Sequence, residues 1–145
     1  MKISTKGIYA LEIVTDLAQY SGENQLESLK NIAKRRNLSE KYLERIVKRL
    51  KESDIITSVR GAYGGYRLTN DASIVTAYQV LLAVEGELAP VACLTKKTDC
   101  GIDCDACPTR NTWERLWFKI LGITKEVTIA DIIGEVNELQ KSNKK

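Results

Sequence analysis

The chain has 145 residues, of which 43% are hydrophobic and 28% are charged, and its formal net charge is +3. This length favours a single domain with a substantial core, and the composition excludes disordered and fibrous classes. No apolar run approaches the roughly 20 residues that a membrane-spanning helix needs, and the N-terminus does not resemble a signal peptide. We therefore expect a cytoplasmic protein that does not insert into a membrane.

The sequence contains no histidine and four cysteines. The missing histidine excludes serine–histidine and cysteine–histidine nucleophile pairs, and it excludes zinc sites with a histidine ligand. All four cysteines lie between Cys93 and Cys107, and clustered thiols in a cytoplasmic chain indicate a metal or redox site. The glycine run Gly61–Gly65 lacks the Lys-Ser/Thr ending of a phosphate-binding loop. We expect no enzymatic activity.

The first half of the chain has the pattern of three helices. Apolar residues at helical spacing predict the first helix over Thr5–Tyr20. Ser28 is the expected N-cap of a short second helix, and Ser39 is the expected N-cap of a third helix that extends to about Ser53. The tight turn between the second and third helices is typical of a helix-turn-helix.

A β-hairpin is predicted after the third helix. Ile55–Val59 is rich in β-branched residues, as expected of a strand, and Tyr66–Thr69 is the predicted return strand. Three glycines in the connecting loop supply the positive φ values that a hairpin loop needs. Three helices followed by a hairpin is the order of a winged helix. We predict a mainly α, winged helix-turn-helix fold with a small β-hairpin wing and a long C-terminal dimerisation helix.

Positive charge is concentrated in this half of the chain. Ser28–Arg67 contains 11 lysines and arginines against 4 acidic residues, a net charge of +7. That density is typical of a polyanion-binding surface, although a solvated helix face has the same composition. Lys41, Arg45 and Lys48 share one face of the third helix, opposite its apolar stripe, and such a helix fits the DNA major groove. With Arg60 at the base of the wing, this face predicts binding to double-stranded DNA.

The second half contains three more predicted helices. Thr76 and Thr128 are expected N-caps, and the polar tail 140–145 is expected to fray. Between these two helices, a helix of about Thr109–Lys125 carries one wide apolar face, formed by Trp113, Leu116, Trp117, Ile120 and Leu121. Two tryptophans on one face exceed what a small core requires. We expect a homodimer interface there, with an intramolecular core as the alternative.

Three blocks of sequence carry a family resemblance. MKISTKGIYAL at 1–11, LSEKYLE at 38–44 and VRGAYGGY at 59–66 resemble, in this order and spacing, the Rrf-type bacterial winged-helix regulators, the family typified by IscR, NsrR and CymR. The resemblance extends to about Leu139. It implies a homodimer that binds a two-fold related DNA operator and acts mainly as a transcriptional repressor.

The resemblance and the cationic face together define the predicted DNA contacts. These are Ser39, Lys41, Tyr42, Glu44, Arg45 and Lys48 on the third helix and Arg60, Gly61, Gly64 and Gly65 in the wing. We divide the chain into a DNA-binding part (1–86), a cysteine-rich sensor loop (87–109) and dimerisation helices with a tail (110–145), within one integrated domain.

The cysteine spacing is Cys93-x6-Cys100-x3-Cys104-x2-Cys107, and thiolates are the preferred ligands of iron–sulfur clusters. The resemblance implies three cysteine ligands in this loop, which Cys93, Cys100 and Cys107 match. Two positions depart from the family pattern. Arg110 stands where IscR-like members offer a histidine ligand, and the extra Cys104 is a candidate fourth ligand. Either a [2Fe–2S] or a [4Fe–4S] cluster is compatible with this ligand set.

Other interpretations of the thiols stay open at this point. Cys104 and Cys107 form one CxxC pair of a zinc site, but Cys93 and Cys100 are too widely spaced for a standard zinc ribbon. A thiol–disulfide switch without metal needs no fixed spacing, whereas a thioredoxin-like enzyme lacks its βαβ unit. We predict a regulator that senses iron–sulfur, redox or nitric oxide status. The alternative is a CymR-like regulator controlled by a partner protein, with cysteines that bind zinc or act as a switch.

Overall fold

The computed structural model describes residues 2–22 and 24–144. In this range the elements are, in chain order, α1 (Thr5–Tyr20), α2 (Leu29–Arg36), α3 (Glu40–Glu52), β1 (Ile56–Val59), β2 (Gly65–Leu68), α4 (Ala77–Glu85), α5 (Arg110–Glu126) and α6 (Ile129–Asn143). The winged helix-turn-helix order predicted from the sequence is confirmed. None of the helices within these residues is both long and apolar enough to cross a bilayer.

Side-chain caps start four helices at the residues expected from the sequence. The Oγ of Ser39 accepts the backbone N–H of Tyr42 at 3.2 Å, and Ser28 caps α2 in the same way. Thr76 and Thr128 form reciprocal capping boxes at the starts of α4 and α6. A cap of this kind contributes about 1 kcal/mol to helix stability. The positions of these four serines and threonines in the sequence therefore indicate where the helices begin.

The wing is an antiparallel hairpin fastened to the chain before α2. Val59 on β1 pairs with Gly65 on β2. Glu27 exchanges two backbone hydrogen bonds with Tyr66 on β2, at 2.9 and 2.8 Å, and so lies beside the hairpin as a third, single-residue rung. β1 starts one residue later than predicted and ends at Val59 as predicted, whereas β2 both starts and ends one residue earlier than predicted. Ile55 is excluded from β1 because its N–H still bonds to the end of α3.

The hydrophobic core lies between α1, α3, α4 and the start of α6. Its fully buried members include Ile13, Leu17, Ile32, Leu43, Ile46, Leu50, Ile56, Val80 and Ile129. Ile129 is the first residue of α6, so its burial ties the C-terminal helix to the winged domain. In contrast, no residue of α5 is buried.

The C-terminal helix is longer than the sequence suggests. We predicted a frayed tail at 140–145, but α6 continues to Asn143. Gln140 and Lys141 are good helix formers, and no glycine or proline interrupts this turn, so the helix extends without an apolar face to bury. The last residue of the predicted tail, Lys145, and the first residue of the predicted DNA-binding part, Met1, lie outside the described residues.

A buried ionic network joins α1 to α2. The fully buried Asp16 accepts two hydrogen bonds from Arg35, at 3.0 Å from Nε and 2.7 Å from Nη2, and Arg36 Nε lies 3.2 Å from its second oxygen. The same guanidinium of Arg35 is 3.0 Å from Glu27 and 4.2 Å above the ring of Tyr20. A carboxylate without hydration keeps its charge only if it is paired in this way.

The charged forms of Glu27 and Arg35 are favoured in the folded state. Burial alone raises the pKa of Glu27, but hydrogen bonds from Asn31 and Arg35 outweigh it, and the net shift of this pKa is downward. The hydrogen bond to Asp16 raises the pKa of Arg35. Both directions follow from hydrogen bonds that stabilise the ionised groups.

We expect the Asp16→Ala variant to lose about 2–3 kcal/mol of unfolding free energy, because it leaves Arg36 without a counter-ion and Arg35 with Glu27 alone. This is less than for a fully buried pair, since both arginine side chains are 30% exposed. Urea unfolding measures the difference. Glu12→Ala removes a carboxylate of α1 outside the network and should cost less than about 0.5 kcal/mol. Equal losses in the two variants would contradict the role of Asp16.

Candidate nucleic-acid interface and cysteine loop

α3 has a buried side and an exposed cationic side. Leu43, Ile46, Val47 and Leu50 are buried. Lys41, Arg45 and Lys48 are exposed, and their spacings of four and three residues place them on one face. Glu44 is exposed beside them, and Ser39 caps the N-terminal end. The structure therefore brings together the α3 residues that the sequence predicted, on a surface that the core leaves free.

Tyr42 differs from the other predicted residues of α3 because it is half-buried. Its ring meets that of Tyr9 on α1 edge to face, with centroids 5.7 Å apart and an interplanar angle of 86°. Such a pair contributes about 0.5–1.5 kcal/mol beyond its buried area. Tyr42 thus holds α3 against α1 at the edge of the cationic face.

The glycines of the wing are required for different reasons. Gly61 has φ 119°, a conformation that L side chains rarely adopt. At Gly64 the reason is space, because a Cβ atom would lie 2.1 Å from the carbonyl oxygen of Val59. A Cβ atom at Gly65 would lie 2.6 Å from the carbonyl oxygen of Glu27. The expectation that all three glycines serve positive φ is therefore wrong for Gly64, where close backbone approach decides.

Tyr63 is the residue of the wing that the sequence analysis missed. Its side chain is 97% exposed, the highest value among the large hydrophobic residues that the structure describes. It lies at the tip of the wing, three residues after the exposed Arg60. The sequence did contain a signal for Tyr63: it is an aromatic residue between two glycines, close to an arginine that is predicted to contact DNA.

All four cysteines line one cavity at the start of α5. The cavity has a volume of about 220 Å³, and its other walls include Val91, Ile102, Trp113 and Arg110. Cys93 and Cys107 are half-buried, Cys100 and Cys104 are exposed, and all four thiols are free. Within residues 2–22 and 24–144, no three thiol or carboxylate groups are arranged to hold a metal ion. The loop gathers the thiols without placing them in ligand geometry.

Hydrogen bonds in this cavity favour the thiolate form of Cys107. Backbone and side-chain hydrogen bonds from Thr109 lower the pKa of Cys107, and the Thr109 hydroxyl oxygen is 3.7 Å from its sulfur. Burial lowers the pKa of Arg110, but the negative charges of Cys104 and Glu114 outweigh it and raise this pKa. The thiolate is the form of cysteine that attacks electrophiles and binds metals.

The donor set in the cavity fits an iron–sulfur cluster or a zinc ion. Four thiolates around either group leave a net negative charge, which the guanidinium of Arg110 offsets. Val91, Ile102 and Trp113 add apolar walls beside the thiols, but the site is open to solvent, since Cys100 and Cys104 are exposed. The sulfurs must move closer together to act as common ligands of either group.

α5 presents an apolar surface to solvent. Leu116, Phe118 and Ile123 are 45%, 65% and 57% exposed. Trp117 stacks on Phe118 with centroids 6.2 Å apart, and its indole Nε1 is buried without a hydrogen-bond partner among the described residues. Unpaired buried donors cost about 1–3 kcal/mol, and exposed apolar patches mark interaction sites. Phe118 and Ile123 were not part of the predicted apolar face.

The sequence matches one family of regulators along most of its length. The family described as Rrf2, iron-dependent transcriptional regulator, matches residues 3–135. This chain belongs to the Rrf2 family. Rrf2 proteins are DNA-binding transcriptional regulators and not enzymes, which confirms the predicted class.

Individual Rrf2 proteins are similar in both sequence and structure. CymR of Bacillus subtilis is 41% identical over 127 residues, which cover 88% of this chain and 83% of that protein. The structure of CymR (YrzC), named the global cysteine regulator of B. subtilis, has a TM-score of 0.77 at 35% identity and covers 93% of this chain and 98% of that one. The structure of T. potens IscR has a TM-score of 0.75 at 34% identity, covering 97% and 91%. Because proteins named CymR and proteins named IscR are both similar to this chain, the similarity alone does not assign it a cofactor.

Proposed function

We propose that this Rrf2 regulator is a cytoplasmic homodimeric repressor that binds a two-fold related DNA operator. The observation that carries the proposal is the exposed cationic face of α3, whose opposite side is locked into the core. The proposed contacts are those predicted from the sequence: Ser39, Lys41, Tyr42, Glu44, Arg45, Lys48, Arg60, Gly61, Gly64 and Gly65.

The chemistry of the α3 side chains suits the major groove. The N-terminal end of α3, with Ser39 and Lys41, lies nearest the base edges in a helix-turn-helix complex. Arg45 can donate two hydrogen bonds to a guanine, and Glu44 can accept one from a cytosine amino group. Lys48, one turn further along, is suited to a phosphate.

The wing extends this surface. Arg60 is exposed at its base, and arginine is suited to the negative potential of a narrow minor groove. Gly61, Gly64 and Gly65 have no side chains, so the backbone of the wing loop can approach DNA closely at these positions. We add Tyr63 to the proposed contacts, because an exposed ring at the tip of the wing can pack against sugars or between base steps.

We expect Arg45→Ala and Arg60→Ala each to weaken operator binding by about 1–3 kcal/mol, the range for arginines that read bases. Fluorescence anisotropy at constant salt measures the affinity, with a duplex that the wild-type protein selects from a random pool. Lys141→Ala, which removes one exposed charge from α6, is the control and should bind as the wild type does. Wild-type affinity in both arginine variants would refute this placement on DNA.

We propose further that Cys93, Cys100, Cys107 and, as fourth ligand, Cys104 hold a [2Fe–2S] or [4Fe–4S] cluster. The support is the single cavity that all four thiols line. A bound cluster would supply a crosslink among these thiolates that oxidants and nitric oxide can break. The regulator would then sense iron–sulfur, redox or nitric oxide status.

The signal has a short physical route from the loop to the DNA-binding part. The loop 87–109 begins just after Glu85, the last residue of α4. The carboxylate of Glu85 accepts the backbone N–H groups of Ser4 and Gly7, at 2.8 and 3.1 Å, at the start of α1. Ordering of the loop by its thiols therefore acts on the contact between α4 and α1. By linkage, DNA binding must affect the cysteine site in return.

We expect the anaerobically purified wild type to be brown, with matched iron and sulfide, and Cys93→Ala and Cys107→Ala to lose both colour and metal. Cys104→Ala separates a fourth ligand from a bystander, since only a ligand changes the visible spectrum. Thr98→Ala, an exposed change in the same loop, should leave the spectrum unchanged. Visible absorbance and counts of iron, sulfide and zinc per chain provide the measurement. An unchanged spectrum in Cys93→Ala and Cys107→Ala would refute the assignment.

A second candidate is a CymR-like regulator controlled by a partner protein. One observation favours it, the similarity to CymR of Bacillus subtilis. In that case the cysteines bind zinc, or they act as a thiol–disulfide switch in which the lowered pKa of Cys107 makes it the attacking thiolate. A colourless protein with stoichiometric zinc, or one that stays metal-free after reconstitution, would favour this candidate.

We propose that α5 forms the homodimer interface. A second copy of the chain would cover the exposed Leu116, Phe118 and Ile123 and could offer an acceptor to Trp117 Nε1. The parts of the chain would then have the roles predicted from the sequence: residues 1–86 bind DNA, residues 87–109 sense the signal and residues 110–145 form the dimer.

We expect Phe118→Glu to convert the dimer to a monomer, because it replaces a 65% exposed aromatic ring of the proposed interface with a charge. Sedimentation equilibrium measures the mass. Ile74→Glu, at a residue that is 61% exposed in the turn before α4, is the matched control and should remain dimeric. A dimeric Phe118→Glu protein would place the interface elsewhere.

A further inference from the structure

A cationic groove separates the start of α1 from the side of α3. It has a volume of about 390 Å³, and Lys6, Arg45, Lys48 and Arg49 line it together with Tyr42. All four cationic side chains are exposed. Lys6 comes from the first turn of α1 and Val84 from α4, so the groove is formed by three helices and not by α3 alone.

The charge of this groove is not neutralised within the chain. Among the described residues, none of its four cations takes part in an ion pair, whereas Arg35, Arg36 and Arg110 all do. Glu85 follows Val84 on the groove wall, but its carboxylate is oriented toward the backbone N–H groups at the start of α1. Four uncompensated cations around one cavity form a site for an anion.

The walls of the groove hold these cations at a fixed separation. The edge-to-face contact of Tyr9 with Tyr42 joins α1 to α3, and the hydrogen bonds of Glu85 fix the first turn of α1 against α4. Lys6 and Arg49 therefore project from helices whose positions relative to each other are fixed. Two cations that extend from fixed helices toward one groove can reach a common phosphate group.

We infer that this groove is a backbone-phosphate site in which Lys6 of α1 and Arg49 of α3 grip the DNA strand beside the major groove. The inference rests on the proposed DNA binding and extends it to two residues outside the predicted contact set. Lys6 and Arg49 contribute affinity and orientation without sequence preference, whereas the bases are read by the N-terminal part of α3.

The test is the salt dependence of binding to a duplex of random sequence. Each phosphate contact that is lost lowers the slope of log affinity against log salt by about 0.9. We expect Lys6→Ala to lower the slope by this amount and to weaken binding by up to about fivefold at low salt, the upper range for an exposed ion pair. Lys6→Arg should restore both values. Lys141→Ala, with the same change in net charge, should preserve them.

A double-mutant cycle tests whether the two cations share one phosphate. If they do, the losses in Lys6→Ala and Arg49→Ala are not additive, and the double variant loses less than their sum. An unchanged slope in Lys6→Ala, or an equal loss in Lys141→Ala, would overturn the inference while leaving DNA binding intact. A wild-type protein without salt-dependent binding would instead overturn the proposed function as well.

Discussion

The buried carboxylate of Asp16 is the fixed point to which the DNA-binding part is attached. Arg35 and Arg36 bring α2 onto α1 through it. Arg35 also contacts the Glu27 carboxylate, and the backbone of Glu27 pairs with Tyr66 in the wing. One ionic network therefore sets the position of α2 and of the hairpin together. Because a buried charge tolerates few geometries, the spacing between α2 and the wing is defined more sharply than apolar packing alone would define it.

The second half of the molecule attaches to the same helix by a different interaction. Glu85 bonds to the first turn of α1, and Ile129 brings α6 into the core. α1 is therefore held near its N-terminus by the segment that leads into the cysteine loop, and near its C-terminus by the network around Asp16. Under the proposed function, a change in the loop would reach the proposed DNA-binding surface as a shift of α1, without a separate domain movement. Coupling of this kind needs two arrangements of one packed element.

The helix starts were predictable from the sequence, because residues close together in the chain determine them. The features of the candidate site that depend on distant residues were less predictable. Ser39 and Thr128 cap their helices through bonds to residues three positions away, which a linear pattern contains. The Asp16–Arg35 pair spans 19 residues, and in the sequence both residues look like ordinary surface charges. The requirement for glycine at position 64 could not be predicted from the sequence, because it depends on how close the Val59 carbonyl oxygen lies in the folded hairpin. The clustering of the cysteines was visible in their spacing, but the common cavity depends on how the loop folds back onto α5.

The net charge of a sequence segment is likewise an incomplete guide to the charge of the folded surface. The +7 segment predicted a polyanion-binding surface, yet Arg35 and Arg36 are paired within the fold with Asp16 and Glu27. The cation that completes the groove beside α3 is Lys6, which lies outside that segment. A net charge counted along the chain therefore includes two arginines that join α1 to α2 and omits a lysine that lines the groove. What attracts DNA is the set of cations that the fold leaves without partners, and only the three-dimensional pairing of charges identifies that set.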